Sequence, residues 1–429
     1  MMRIALNARR VDPTRGGAET YVVDLCTRLL RAGHRVDLFA ESWRDDRLPP
    51  GLTTHHVPAP GLSRWGRTWN FARHSEAALR GAGCSFDCTV GFINTWHQDV
   101  LIPQGGVHAA SLEANSRRFP PGWRRRAYQA GKAANPKRWI YRAIEARQYD
   151  PSRGTRIVAV SGMVRGHLER YQGVSRDRID VIPNAIDADR LAVPDPSTTR
   201  RAFRARFGLG PDALVGLFVG HNYALKGLGP LLQALALRAR REPAGRPIHL
   251  VACGGGEVGP YRRLASKLGL AATVHLAGFQ ADIRPPFWAS DFFVLPTYYD
   301  PCSLVVFEAL ACGLPVITTA CNGAGEVITE GREGFVVTHP DARAHLADAL
   351  DRMADDRARA AMSTAAARLG REQSFDRHVG RLLDVFARVA EARSRGRSAR
   401  IDDPHPSTPD GPTARETSRL HEGDHPRGR

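Results

Sequence analysis

The sequence predicts an α/β protein built from two doubly wound, parallel-sheet domains. Three observations carry that expectation. Short apolar runs of strand length alternate almost throughout with amphipathic segments of helix length, the pattern of parallel sheets covered by helices on both faces. The alternation lapses at 184–200 (NAIDADRLAVPDPSTTR), where Pro, Asp and Thr accumulate, which marks an interdomain linker. A chain of 429 residues with 42% hydrophobic content is long enough for two hydrophobic cores.

The first domain spans 1–183. Arg3–Asn7 is a strand. Ala18–Arg31 is a helix with Tyr21, Val22, Leu25 and Leu29 on one face, and Arg35–Ala40 is the next strand. A helix over Asn70–Leu79 leads to a strand at Asp87–Phe92. Arg156–Val160 is a strand, Ser161 a candidate N-cap for a helix over Gly162–Tyr171, and Arg178–Ile182 a strand closed by Pro183. The second domain spans 201–373. Its strands are Leu214–Val219, Ile248–Cys253, Thr273–Leu276, Phe292–Leu295, Val316–Thr318 and Phe335–Val337, separated by helices near 226–240, 258–268, 282–289, 303–312 and 341–354, with another near 356–370. A last helix is expected over 374–393. From 394 to 429 Arg, Ser, Pro, Gly and Asp dominate without an apolar period, so a disordered tail is predicted.

The net charge is +17, and 391–429 hold eight Arg against seven Asp and Glu, so the excess belongs to the rest of the chain. A body this basic expects an anionic partner: a nucleotide, a nucleic acid or a membrane surface. Seven cysteines lack paired spacings; Cys26, Cys253, Cys312 and Cys321 read as small buried hydrophobes. With no bilayer-length apolar run and no signal-like start, the expected location is the cytoplasm.

The most informative stretch is 297–319, TYYDPCSLVVFEALACGLPVITT. It follows the strand Phe292–Leu295, and a helix opens near Ser303. Asp300 stands before that helix and Glu308 within it, with seven residues between them. A helix N-terminus offers unpaired N–H groups and positive dipole character, which suit a phosphate. A ligand with a diphosphate in its middle and a sugar at each end would match, with one carboxylate per sugar. That describes a sugar nucleotide.

This stretch resembles the donor-site signature of retaining glycosyltransferases of family 4, which have the GT-B fold of two Rossmann-like domains. The family pattern places Glu where Asp300 stands. Within the family the resemblance is closest to lipopolysaccharide core glucosyltransferase I, over about 1–375. Its carriers are the early glycine loop, the VGF-Asn segment at 90–94, the charged excursion after it, AVSGMVRGHLERYQGV at 159–174, and the signature itself. The resemblance implies transfer of a hexose, glucose from UDP-glucose, onto a membrane-lipid or lipopolysaccharide-core acceptor. It implies no cofactor beyond the co-substrate, no metal, and front-face attack in which the leaving phosphate takes the acceptor proton. A related mannosyl- or other hexosyltransferase is the enzyme alternative, and a basic nucleic-acid-binding protein the non-enzyme one.

By the same resemblance Glu308 accepts hydrogen bonds from the ribose, Asp300 holds the donor sugar, and the N–H groups near Ser303, Leu304 and Val305 meet the diphosphate. Lys226, in HNYALKG after the first strand of the second domain, meets it as a point charge. The family has Arg where His221 stands. Gly16 and Gly17, in Arg15-Gly16-Gly17-Ala18-Glu19, open the first helix and allow close approach to phosphate. Gly254-Gly255-Gly256 follows another strand and resembles a turn near the nucleotide, though a structural turn reads equally well. Glu326 reads as helix-capping or structural. In the first domain His108 is the candidate beside the donor sugar, with Asp99 the second. Finally, 117–142 (RRFPPGWRRRAYQAGKAANPKRWIYR) mixes Arg and Lys with Trp123, Tyr128, Trp139 and Tyr141 and holds no acid. It reads as a surface that docks the protein on the anionic inner face of the cell membrane, or as a solvated basic face over packed aromatics. No nucleic-acid module is recognised.

Overall fold

The computed structural model describes residues 1–401 apart from Arg15, with backbone alone at Pro136, Lys137 and 396–401. Arg15, the Lys137 side chain and the tail from 402 onward lie outside the described residues.

In the first half, β1 (Arg3–Asn7) and the short β2 (Arg10–Val11) precede α1 (Gly17–Arg31), followed by β3 (Arg35–Ala40), β4 (Ser42–Trp43) and β5 (Thr53–His56). The long α2 (Arg64–Arg80) returns the chain to β6 (Cys88–Gly91) and β7 (Val100–Leu101). Three helices follow, α3 (His108–Ser116), α4 (Trp123–Ala133) and α5 (Pro136–Gln148), then β8 (Arg156–Ala159), α6 (Gly162–Gln172) and β9 (Ile179–Val181). The main sheet has the order β5-β3-β1-β6-β7-β8-β9, and its pairings are parallel. The chain builds outward from β1 to one edge, then crosses back to β6. The gap between the ends of β1 and β6 is therefore the topological switch point, where ligands collect in such sheets.

In the second half, α7 (Pro196–Ala205) precedes β10 (Leu214–Val219), α8 (Leu228–Arg241), β11 (Ile248–Cys253), α9 (Gly259–Lys267), β12 (Val274–Gly278) and α10 (Arg284–Ala289). Then come β13 (Phe292–Leu295), α11 (Leu304–Ala311), β14 (Val316–Thr319), β15 (Gly334–Val337), α12 (Arg343–Ala354) and α13 (Asp356–Glu372). The order is β12-β11-β10-β13-β14-β15, so this switch point lies between β10 and β13. The central strands read as unbroken apolar runs because helices bury both faces; Phe292–Leu295 is fully buried. The last helix, α14, runs over Phe375–Ile401. Its His378 meets Tyr21 of α1 at 2.7 Å and the Pro183 carbonyl at 2.8 Å, and Arg381 donates to the Val181 carbonyl. Met1–Ala390 hold together as one compact unit.

Several expectations change. The disordered tail does not begin at 394, because α14 continues to Ile401. The linker ends earlier than 200: Asp195 caps α7, accepting from the Ser197 and Thr198 N–H groups, and Pro196 sits in its first turn. The helix expected from Asn70 starts at Arg64, behind the N-cap Ser63. Cys312 and Cys321 are only partly buried. The helices over 108–148 were not anticipated. α4 has no buried residue, so its sequence carries no apolar stripe to read.

Candidate functional site

The loops that leave β10 and β13 meet at the second switch point, because those strands are neighbours. Gly227, at φ 82°, caps α8, and a side chain there would strike the Pro296 carbonyl. Thr297 Oγ1 donates to the Leu225 carbonyl at 3.1 Å, and the Tyr298 N–H donates to the same oxygen at 2.8 Å. These contacts seat the Lys226 loop against the signature loop, and the Lys226 ammonium pairs with the Asp300 carboxylate. Their side chains are 21% and 13% exposed, open enough for a ligand to reach. Gly254 packs so closely on the Gly220 carbonyl that a Cβ would not fit, and a Cβ on Gly256 would meet the Tyr223 ring. His221 is exposed, its ring stacked with Phe279.

Beyond Asp300, α11 opens behind its N-cap Ser303. Of the three amides expected to face a diphosphate, the Ser303 N–H is engaged already: it donates to Asn322 Oδ1 at 3.3 Å. Leu304 and Val305, in the first turn, have no carbonyl one turn back to pair with. Glu308 lies one turn further in. It is partly open to solvent, and its side chain has no hydrogen-bond partner among the described residues. Burial pushes its carboxyl up to about 7, against the pull of Arg190.

The first domain closes on this loop. A Cβ on Gly17 would stand 2.8 Å from Leu304 Cδ1, so the early glycine turn, with Gly16 as its N-cap, lies directly on the start of α11. Ser161 Oγ donates to the Pro301 carbonyl at 2.8 Å and also caps α6, accepting from the Val164 N–H. Glu326 accepts from the Gly162 and Met163 N–H groups at 2.7 and 2.6 Å; it caps a helix of the opposite domain. Asn184 Nδ2 donates to the Cys302 carbonyl, and Gln104 Nε2 to Asn184 Oδ1.

His108 begins α3 directly after the Gly105-Gly106-Val107 turn, which rests on the signature loop: the Val107 N–H donates to Tyr299 Oη, and a Cβ on Gly106 would strike Tyr299 and stand 3.0 Å from Pro301 Cγ. Its ring tilts against Tyr141, and its amide donates to Glu145. Burial lowers its pKa, and Arg138 and Lys132 lower it further. Asp99 belongs elsewhere. Its carboxylate accepts from the Thr89 N–H and hydroxyl at 2.8 and 2.7 Å, which ties β6 to the start of β7. Of the four aromatics in 117–142, Trp123 and Trp139 are exposed, whereas Tyr128 packs on Phe119 and Tyr141 on His108.

A second set of residues was anticipated only in part: Asn94 and Glu19 lie in segments singled out from the sequence, whereas the arginines around them do not. At the switch point of the first sheet lies a cavity of about 650 Å³, lined by Arg9, Arg10, Glu19, Arg64, Arg67 and Asn94 among others. Asn94 has φ 64°, a left-handed conformation rare outside glycine and frequent at functional sites. Arginines on two separate segments, Arg9-Arg10 and the start of α2, give no local motif; only the rule that ligands gather at a switch point could have found them.

Comparison with known proteins follows the same division. The model described as Glycosyltransferase Family 4 matches residues 15–190, and that described as Glycosyl transferases group 1 matches 213–356. Together they take in more than half of the chain. D-inositol 3-phosphate glycosyltransferase 2 of Catenulispora acidiphila is 29% identical over 371 residues, 79% of this chain and 84% of that protein. Lipopolysaccharide glucosyltransferase WaaG of Escherichia coli K12 is 22% identical over 344 residues, 78% of this chain and 85% of that one. A crystal structure of WaaG, a glycosyltransferase involved in lipopolysaccharide biosynthesis, is similar with a TM-score of 0.72 at 21% identity, covering 89% of this chain and 99% of that chain. Anabaena HepE in complex with UDP-glucose has a TM-score of 0.63 at 18% identity, covering 92% and 100%. These likenesses do not favour a nucleic-acid-binding protein. The chain belongs to glycosyltransferase family 4: a Family 4 domain and a group 1 domain, joined in the GT-B fold.

Proposed function

We propose that the protein is a retaining, metal-independent hexosyltransferase that moves glucose from UDP-glucose onto a membrane-lipid or lipopolysaccharide-core acceptor. The observation that carries this reading is the Lys226–Asp300 pair at the switch point of the second sheet, beside the open first turn of α11. Lys226 and the amides of Leu304 and Val305 hold the diphosphate and stabilise the charge it gains on leaving, which is where preorganised donors contribute most. Asp300, released from Lys226 by the incoming phosphate, accepts from hydroxyls of the donor sugar. Glu308 accepts from the ribose, and His108 borders the sugar from the first domain. The leaving phosphate oxygen takes the acceptor proton on the face that it vacates, so the anomeric configuration is retained. Lys226 and the helix dipole do the work of a cation.

The HepE complex supports the choice of UDP-glucose, and the WaaG likeness supports the acceptor. For location, α4 exposes Trp123 and α5 exposes Trp139, at 75% and 66%, among arginines and lysines with no acid. That supports peripheral docking on the anionic inner face of the cell membrane. No helix among the described residues is long and apolar enough to cross a membrane.

The test is hydrolysis and transfer across UDP-, GDP- and ADP-sugars, with and without a chelator, with the product anomer read by NMR. UDP-glucose should be turned over in the presence of chelator, with retention. An inverted product, or loss of turnover on chelation, would overturn the mechanism; preference for another sugar nucleotide would overturn the donor.

A further inference from the structure

Helix α3 starts without a cap of its own. Its N-cap residue is Val107, whose apolar side chain cannot accept a hydrogen bond, so the amides at its start need acceptors from elsewhere. Two side chains distant in sequence supply them. Tyr299 Oη, on the signature loop, accepts from the Val107 N–H at 3.3 Å. Glu145 Oε1, on α5, accepts from the His108 N–H at 2.8 Å, and its other oxygen accepts from Gln172 Nε2, at the end of α6, at 3.1 Å. Helix α5 also reaches the imidazole itself. The centroids of the Tyr141 and His108 rings lie 5.1 Å apart, with the planes tilted by 32°. Tyr141 and Glu145 are four positions apart on α5, so one face of that helix holds His108 by both its backbone and its ring.

The chemistry of Glu145 argues against a filler. It is buried, and neither of its partners carries a charge. Burial pushes its carboxyl up to about 6 against the pull of both donors, so it is still largely ionised at neutral pH. An apolar side chain in its place would avoid that desolvation. What the carboxylate adds is a pair of charge-assisted hydrogen bonds and a negative charge at a helix N-terminus. Both act where α3 begins, and the residue there is His108. We propose that Glu145 and Tyr141 are positioning residues that set the His108 imidazole against the donor sugar. Their effect on the reaction passes through His108. The proposal rests on the reading that His108 borders the sugar.

The experiment is a double-mutant cycle on the full chain, with UDP-glucose hydrolysis as the rate and calorimetry with UDP as the measure of binding. Glu145→Ala should lower kcat by roughly tenfold to a hundredfold and leave affinity for UDP, which lacks the sugar, unchanged. Glu145→Gln should restore most of the rate: its amide oxygen can still accept from the His108 N–H, while Gln172 turns its own amide to accept from the new Nε2. In a His108→Ala background, Glu145→Ala should cost nothing further. The His108 ring signal in histidine-labelled protein, identified by its loss in His108→Ala, should shift in Glu145→Ala and return in Glu145→Gln. If Glu145→Ala does not fold, Tyr141→Leu, at a partly exposed position, carries the same cycle and the same signal. A loss of rate that persists in the His108→Ala background, or a fall in UDP affinity to match it, would overturn the proposal and leave Glu145 as a strut of the fold. A wild-type rate in His108→Ala would instead sink the reading of His108, and this one with it.

Discussion

Burial raises the Glu308 carboxyl from its ordinary 4.5 to about 7, which on the proposed ribose role should make donor binding depend on pH in a definite direction. Ribose hydroxyls donating to the carboxylate favour its ionised form, so binding lowers its pKa. Affinity for UDP-glucose should therefore rise with pH and level off above about 7, and titration calorimetry on wild type and Glu308→Gln should show the slope only in the former. Glu308→Ala should weaken binding by about 1.5–3 kcal/mol, roughly tenfold to a hundredfold; unchanged affinity in a folded variant would refute the ribose role. The same shift has a stability consequence. The folded state binds more protons than the unfolded one between 4.5 and about 7, so this group's contribution falls as pH rises through that window. Lys226→Ala should lower kcat more than donor affinity, because the phosphate gains charge on leaving; a raised KM at normal kcat would indicate ground-state binding alone. The sequence showed the two carboxylates and the lysine, but not that Lys226 and Asp300 pair. That contact spans 74 positions and exists because β10 and β13 are sheet neighbours. The brace of Arg9, Arg10 and Arg67 around Glu41 was hidden for the same reason.

Helix α6 begins under two caps from different parts of the chain: Ser161 beside it and Glu326 from the opposite domain. Glu326→Ala should remove two charge-assisted hydrogen bonds at once. Amide exchange at Gly162 and Met163 should then quicken about tenfold or more, for a loss of at least ~1.5 kcal/mol. Unchanged exchange there would mean that the cap adds nothing to closure. The strands with unbroken apolar runs were legible to within a residue or two, because double-sided burial imposes that composition. The start of α7 was legible too, in the Asp195-Pro196 pair, yet the turn-rich composition of 184–200 masked it. The helices over 108–148 were illegible because an uncovered helix such as α4 needs no apolar face. Its exposure gives a further prediction. Basic side chains near an anionic surface contribute about 1 kcal/mol each. Replacing Arg124 and Arg126 by Gln, with Trp123 and Trp139 by Ala, should release the protein from anionic vesicles, and salt should do the same to wild type. Unaltered sedimentation of the variant with those vesicles would rule out docking through this face.

Both sheets were foreseen from alternation alone, since a parallel sheet leaves the same rhythm in any chain that forms one. The seam was not foreseen. Around the signature loop it is made largely of side chains from one half meeting main-chain atoms of the other: Ser161 on the Pro301 carbonyl, Asn184 on the Cys302 carbonyl, Glu326 on two amides of α6, and Tyr299 on the Val107 amide. Main-chain atoms are the same whatever residue carries them, so each half is blind to most of its partner's side chains. The residues proposed for the nucleotide and diphosphate lie mostly beyond the seam. A half taken from a relative would need the same loop path and a handful of polar residues to mate with this one. Recombination between halves is thereby an open route to new pairings of first and second half, without redesign of either core.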